Sequence, residues 1–559
     1  MRVRRGLALA VALVALLASA TLAIARGGAS EPHARVAQLA TLAGCVQDQG
    51  YVRDFLDEDE RPECATGKAL LGASGAAVTP DGRQVYVASA GSDAITWLAR
   101  NGDTGQLTWA GCLSDDGGTG LAGTDGQCAD GDAVDSPRSV AISPDGSNVY
   151  AVTASAGAVL SFARDGDSGR LEQLGCVRDH VEEGRCADRH ALGGVRAVTV
   201  APDGKHVYAV ASGSDSVVTL DRDAGTGRLT FRSCTSDDGT NGLCTDGEAM
   251  RGATAVAVSP DGASVYVAAA TSGAVLTFRR DPDTGALTQT GCELDDAPPG
   301  PCDRASALAG ASSVAVMPDG NTVVATATGP DAVSTFRRDG GTGTLTEAGC
   351  LVPKGTQETP CARGGLIEPT SVAVGAASGE LIVTGGQGSL VSFAFDPATG
   401  ALTRTSCVTS SEIEGCTEGH GFSGAAWVAV APDGRSAYVA APLDNSIAVF
   451  AEGAAVPARS AAVRRGVVRI PLSCPRRVAG GCRGVLELTA GRRAGGPAVR
   501  RFRVRAGRSA TVALRLPPRL ERALLRRHRL STTVTIRERG RALPPLARDF
   551  VLQAGETKR

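Results

Sequence analysis

"VAVSPDGASVYVA" (residues 256–268) alternates apolar with small or polar residues on both sides of Pro260-Asp261-Gly262. A period of two is the signature of a half-buried strand, and a Pro-Asp-Gly break between two such runs makes a β-hairpin. The stretch has close copies: AAVTPDGRQVYVA (76–88), VAISPDGSNVYAV (140–152), VTVAPDGKHVYAV (198–210), VAVMPDGNTVVAT (314–326) and VAVAPDGRSAYVA (428–440). VAVGAASGELIVT (372–384) is a degenerate seventh. A period of about 58 residues with a fixed motif is the mark of a repeat architecture.

Two more strands follow each hairpin. After 256–268 come AVLTFRRD (274–281), the turn DPDTG, and ALTQTGC (286–292). Four antiparallel strands per repeat describe a propeller blade. The spacing from turn proline to fourth-strand cysteine is 32 residues in repeats one to five, and from position 375 to Cys407 it is again 32. The seventh hairpin has a third strand, SIAVFAEG (446–453), and no fourth. An orphan fourth strand, VAQLATLAGC (36–45), stands at the N-terminus. The expectation is an all-β fold: a seven-bladed β-propeller over 34–453, closed by the N-terminal strand so that no blade keeps an open edge.

All 16 cysteines fall into close sequential pairs. In chain order these are Cys45 with Cys64, Cys112 with Cys128, Cys176 with Cys186, and Cys234 with Cys244. Then come Cys292 with Cys302, Cys350 with Cys361, Cys407 with Cys416, and Cys474 with Cys482. This even, local spacing predicts eight disulfides. Zinc is disfavoured, since no pair is C-x2-C and the chain has 6 histidines. Haem attachment by C-x-x-C-H is absent as well, and no cofactor is expected. Residues 1–25 combine three arginines, an apolar run and A-x-A sites at 18–20 and 23–25, as in a secretory signal peptide. The alternative is an uncleaved anchor. After signal removal no transmembrane segment is expected, and the chain is placed outside the cell or in its envelope, where disulfides persist.

The loops from each fourth-strand cysteine to the next inner strand vary in length and carry 30 of the 59 carboxylates against 10 basic groups. Loops on rigid scaffolds carry recognition. A ligand or protein partner is therefore expected on the face that holds these stapled acidic loops. The bland alternatives are solvated surface charge and bridges that only stabilise a secreted ring. No calcium-binding loop pattern is present.

Beyond 455 the composition inverts. Residues 456–559 hold 26 Arg plus Lys against 5 acids, whereas 26–455 hold 28 against 54. VVRIPLSC, GVLELTA, RRFRVRA, ATVALRL and LSTTVTIRE read as alternating strands, and 518–530 as a short helix or turn. This predicts a small basic β-sandwich at 460–555, with Cys474 and Cys482 stapling a hairpin in it. An anionic envelope polymer is the expected partner of such a surface, and nucleic acid is not. The alternative is arginine used only for solubility.

The blade pattern SPDGxxVYVA…AVxxFxRDxxTGxLT resembles the lactonase-type seven-bladed propellers, the family of 6-phosphogluconolactonase and carboxymuconate cyclase. The resemblance implies a site where the inner strands enter, with histidine and arginine before the SPDG strand. Here SPRSVAISPDG (136–146) keeps Arg138 but has Ser139 at the histidine position. Lactone opening needs a base for water and a cation for the developing oxyanion. His180, His190, Arg196, Glu368 and His420 are the candidates for that chemistry. Arg138, Arg251 and Trp427 are further residues on the same face. The leading expectation is a binding scaffold without catalysis, and the runner-up a lactone hydrolase or cyclase at the channel mouth.

Overall fold

The computed structural model describes residues 41–48, 64–120, 126–179, 186–295, 301–353, 361–364, 368–375, 379–411, 416–451, 460–474, 481–490, 496–506, 508–538 and 546–554. The signal-peptide reading of 1–25 lies outside them. No helix among the described residues is long and apolar enough to cross a membrane.

Each repeat becomes its own sheet. The first blade runs outward from Ala73–Val78 through Gln84–Ser89, Ala94–Arg100 and Leu107–Ser114 to Ala129–Asp130. The other innermost strands are Pro137–Ile142, Val195–Val200, Ala253–Val258, Ala311–Val316, Pro369–Val374 and Trp427–Val430. These seven neighbour one another in a closed ring, the seventh lying against the first. Second strands are buried along their whole length (Gln84–Ser89 and Ser264–Ala269, for example), because blades cover them on both sides. The ring closes as the sequence predicts: Thr41–Asp48 pairs antiparallel with Ser446–Ala451, matching Leu42 with Phe450 and Cys45 with Ala448.

All eight expected cysteine pairs are bonded. Seven bridges lie in the propeller: Cys45–Cys64, Cys112–Cys128, Cys176–Cys186, Cys234–Cys244, Cys292–Cys302, Cys350–Cys361 and Cys407–Cys416. The eighth, Cys474–Cys482, belongs to the C-terminal sheet. No cysteine is free.

A propeller blade has five strands where the sequence suggests four. Downstream of each of the seven propeller disulfides a short strand runs parallel to the fourth strand, as Ala129–Asp130 does after Cys128 and Asp303–Ala305 after Cys302. Cys176 stands directly opposite Cys186 across such a pair. The bridge thus clasps a covering strand onto the outermost rung, where an unpaired edge would otherwise be exposed. The clasps sit at the periphery of the ring, away from its axis.

The sixth repeat is shifted by one from its expected frame. Gly375 N–H donates to the Glu380 carbonyl as Thr79 N–H does to that of Gln84, so Gly375 matches the residue before the proline. The lost residue lies between the second and third strands: four positions separate Gly385 from Ser389, and five separate Ser89 from Ala94.

Blades are joined at the Pro-Asp-Gly end. Arg222, ending the third strand of blade three, reaches into blade two. Its Nη2 donates to Asp145 (2.7 Å), its Nε to the Tyr150 hydroxyl (2.8 Å) and its Nη1 to the carbonyl of Gly204 (2.9 Å). The Tyr150 hydroxyl then donates to the Gly227 carbonyl of blade three at 3.0 Å. Arg100, Arg280 and Arg338 repeat this latch with Asp433 and Tyr438, Asp203 and Tyr208, and Asp261 and Tyr266. Arg164 pairs with Asp81 and Gln84 in the same place. Each guanidinium is buried and paired with a carboxylate, which is what makes a buried charge tolerable; Arg164 departs from the others in that its Nε has no partner. Burial raises the Asp145 carboxyl, but hydrogen bonds from the Ser143 hydroxyl, the Ser147 N–H and Arg222 together bring it down to about 2.

The C-terminal strands form one unbroken sheet in the order Ala498–Val504, Cys482–Thr489, Arg529–Glu538, Leu546–Ala554, Ser460–Arg464, Val467–Ser473, Ser509–Arg515. The two edge strands, Ala498–Val504 and Ser509–Arg515, lie against each other, so the sheet curls over one core that includes Ile470, Leu486, Leu514 and Val534. The layers of the expected sandwich are two halves of a single sheet. Cys474 and Cys482 are both buried in this core. Their bridge links the end of one strand, Val467–Ser473, to the start of another, Cys482–Thr489, and those two strands are not paired with each other. The disulfide therefore ties the two halves of the curled sheet together and does not staple a hairpin. The helix Pro518–Arg527 buries Leu520 and Leu524 against the same core.

Candidate functional site at the axial mouth

The innermost strands enter the ring beside the turns that join second to third strands, opposite the Pro-Asp-Gly end. Gly91 N–H, for instance, donates to the Leu71 carbonyl just before Ala73. Six of the seven entries contain a β-bulge: register slips between Ala73 and Gly75, and at the matching places in blades two to six. A bulge leaves one residue out of the ladder and re-aims its side chain. The residues so placed are Ser74, Arg138, Arg196, Thr254, Ser312 and Thr370, with Ala426 at the corresponding position of blade seven.

Four of these side chains are hydroxyls used to stitch neighbouring blades. Ser74 Oγ donates to the Pro137 carbonyl (3.1 Å), Thr254 to that of Ala311 (2.9 Å), Ser312 to that of Pro369 (2.8 Å) and Thr370 to that of Ala425 (2.7 Å). Blades two and three carry arginines instead. Arg196 is exposed and its Nε donates to Ser212 Oγ at 3.1 Å. Arg138 is half-buried, and its Nε has no hydrogen-bond partner. Burial, and then the neighbouring Arg196 charge, pull the Arg138 guanidinium below its ordinary range. Among the described residues neither arginine has a carboxylate within ion-pair distance.

Two positions earlier lies a residue with left-handed backbone in every blade. Glycine fills it at 72, 194, 252, 310 and 424, which suits a positive φ. Ser136 (φ 55°) and Glu368 (φ 50°) take the same conformation with side chains, an arrangement that costs energy and concentrates at functional sites. Glu368 N–H is held by Asp331 Oδ1 at 2.6 Å, and its side chain is exposed. One residue inside the bulge stand Gly75, Ser139, Ala197, Ala255, Ser313, Ser371 and Trp427. Across these three rings of positions only Arg138, Arg196 and Glu368 ionise.

The remaining sequence candidates lie elsewhere. His180 is outside the described residues. His190 packs on Phe231 (centroids 5.0 Å apart) beside the Cys234–Cys244 disulfide, at the outer edge. Those sulfurs are bonded to each other, so the His–Cys–Cys group is no metal centre. His420 is exposed and precedes Gly421, where an added Cβ would come within 3.1 Å of both sulfurs of Cys45–Cys64. The two histidines therefore belong to the outer clasps and not to the mouth. Arg251 is tied to Asp237 at 2.9 Å. Trp427 does stand on an innermost strand, half-buried against the core between blades seven and one. Ser139, at the position where the resemblance implies histidine, is buried and has no partner for its Oγ.

The acidic loops also change meaning. Asp48, Asp115, Asp179, Asp237 and Asp295 accept backbone N–H groups of Leu70, Val134, Leu192, Met250 and Ala307, fixing each loop as it turns into the next blade. Asp93 and Asp215 do the same for Ser136 and Gly252. Sequence reasoning missed this, since a carboxylate that caps a loop and one that waits for a ligand look alike in one dimension.

The model of the lactonase seven-bladed β-propellers matches residues 46–187, 182–302 and 293–456. The chain belongs to the lactonase family. No curated protein sequence matches it. Solved structures similar to this lactonase-family propeller include a putative 6-phosphogluconolactonase from Bacteroides fragilis, 20% identical with a TM-score of 0.45, over 62% of this chain and 84% of that one. The periplasmic gluconolactonase of Pseudomonas aeruginosa is 20% identical with a TM-score of 0.43, over 60% and 85%. Hydrazine synthase of Kuenenia stuttgartiensis is 14% identical with a TM-score of 0.44, over 68% and 96%.

Proposed function

We propose that this propeller binds a small anionic ligand at its axial mouth, outside the cytoplasm, with Arg138 and Arg196 receiving the anion. The supporting observation is the arginine pair itself. Among the described residues these two guanidinium groups on adjacent bulges have no carboxylate within ion-pair distance, and one has a buried, unpartnered Nε. Like charges held together without a counter-ion cost stability, and an anionic ligand removes that cost. A carboxylate or a sugar-acid phosphate fits the planar fork of arginine. Eight disulfides support an oxidising compartment. A partner docked on the acidic loops has less support, because one carboxylate in each of five of these loops already holds a backbone amide.

Lactone opening is the second reading, favoured by the family and by Glu368. Glu368 is the one base of the three rings, and the arginines would stabilise the oxyanion. Calorimetry with gluconate and 6-phosphogluconate tests binding. Arg138→Ala with Arg196→Ala should abolish it, and unchanged affinity would refute the proposal. Acid release from gluconolactone, lost in Glu368→Gln while gluconate still binds, would establish turnover.

A further inference from the structure

The three-stranded part of the C-terminal sheet built from Ala498–Val504, Cys482–Thr489 and Arg529–Glu538 buries one face: Cys482, Leu486, Leu488, Phe502, Val534 and Ile536 all enter the core. Strand alternation sends the intervening residues to the other face. Register then fixes what meets there. Arg483 stands opposite Arg503, while Val485 stands between Arg501 and Arg537. All four arginines are exposed. The one acid among these rows is Glu487, partly buried, whose Oε2 lies 3.7 Å from Arg537 Nε.

Like charges placed directly opposite on neighbouring strands are destabilising. Solubility alone does not call for that placement, since arginines scattered over the domain would serve as well. Other exposed arginines, such as Arg469, Arg515 and Arg527, lie elsewhere on the domain, and the four that meet on this sheet face give it a positively charged plane with a low-dielectric core behind it. The pleat spaces the charges by about 5 Å between strands and by about 7 Å along a strand. A linear polymer with one negative charge per roughly 5–7 Å can contact several of these groups in register. Arginine forks engage phosphate oxygens in pairs.

We propose that this face binds a linear polyol-phosphate polymer of the cell envelope, with Arg483, Arg501, Arg503 and Arg537 each contacting a phosphate. The binding is electrostatic and independent of the channel-mouth ligand. Its strength falls with salt in proportion to the number of phosphates neutralised.

The test uses the intact chain and two probes with the same phosphodiester linkage: poly(glycerol phosphate), and oligothymidylate of matched charge. Both are titrated at about 50 mM and at about 200 mM salt, where several contacts should cost on the order of 100-fold in affinity. Tighter binding of the polyol polymer supports the envelope polymer as occupant, and tighter binding of the oligonucleotide would overturn it. Arg483→Gln with Arg503→Gln should weaken binding at least tenfold and flatten the salt dependence. Because that pair repels, its removal should leave the melting temperature unchanged or raised, so lost binding cannot be ascribed to unfolding. No binding of either probe at the lower salt, or binding indifferent to the substitutions, would overturn the proposal.

Discussion

Five of the seven seams between blades carry the buried arginine latch, and the two that flank blade six do not. At the seam between blades five and six, Asp319 is still in its Pro-Asp-Gly turn, but Phe395 replaces the arginine and Val324 the tyrosine. Thr335 Oγ1 donates to the Gly400 carbonyl at 3.0 Å, the bond that Tyr266 makes to Gly343 one seam earlier. At the next seam the Pro-Asp-Gly motif is missing from the sequence, which reads GAASGE at 375–380. The apolar packing is similar at all seams: Phe393 is as fully buried as Phe336 and Phe278. Apolar packing with a few hydroxyl hydrogen bonds therefore closes a seam without the buried ion pair. What the latch adds is orientation, since directional bonds from one guanidinium to the aspartate and tyrosine of the neighbouring blade fix the rotation of one blade against the other.

The comparison breaks most clearly at a latched seam. Arg222→Ala should cost about 3 kcal/mol or more, because it leaves Tyr150 and the Gly204 carbonyl buried without their donor. Urea denaturation measures this. Phe395→Ala at the bare seam removes only apolar contact and should cost less, and an equal loss at both seams would contradict the role given to the latch.

A latched seam can also carry a fault. Glu293 is 5% exposed in the fourth strand of blade four, at a place where other blades have Leu113, Val177, Thr235, Leu351 and Val408. Burial, then Asp303 and Glu347, push its carboxyl up to about 7. The folded state thus holds this proton more tightly than the unfolded chain does. Stability from this group is full below about pH 4.5, falls as pH rises toward 7, and is flat beyond. Glu293→Leu should stabilise the protein by roughly 1–3 kcal/mol at pH 8. The gain should shrink on acidification, and a gain equal at both ends of the range would contradict the assignment.

The smallest effect is expected from repairing the bare seam. Val324→Tyr with Phe395→Arg supplies the two groups that Asp319 lacks. It should raise stability by at most about 1 kcal/mol, since desolvating the new guanidinium offsets most of what pairing returns. Thermal unfolding decides whether the graft helps at all.

The hairpins and ring closure could be read from the sequence because their signals are local. Pro-Asp-Gly specifies a turn whose glycine needs positive φ, and Gly82, Gly146 and Gly262 adopt it. The cysteine pairing was legible for the same reason, since each bridge joins near neighbours such as Cys350 and Cys361. The fifth strands could not be read: Ala129–Asp130 and Thr245–Asp246 are two residues each and too short to alternate. The latch arginines end strands in "FRRD"-like runs that look like surface charge, and only the neighbouring blade makes them buried. At the mouth, the sequence named Arg138, Arg196 and Glu368 but joined to them two histidines of the outer clasps. Those histidines share the variable loops with the site residues, and loop membership does not say how far along the radius a residue lies.

The strand pair that shuts the ring has a mechanical consequence. Thr41 lies opposite Ala451, so the chain enters and leaves the pair at the same end. Tension on the two tethers would peel the rungs one after another, where a staggered exit would load them all together. No disulfide spans the pair: Cys45 is bound outward, to Cys64. The circle is covalently reinforced at every blade's rim and yet, at its joint, is held by hydrogen bonds and packing alone.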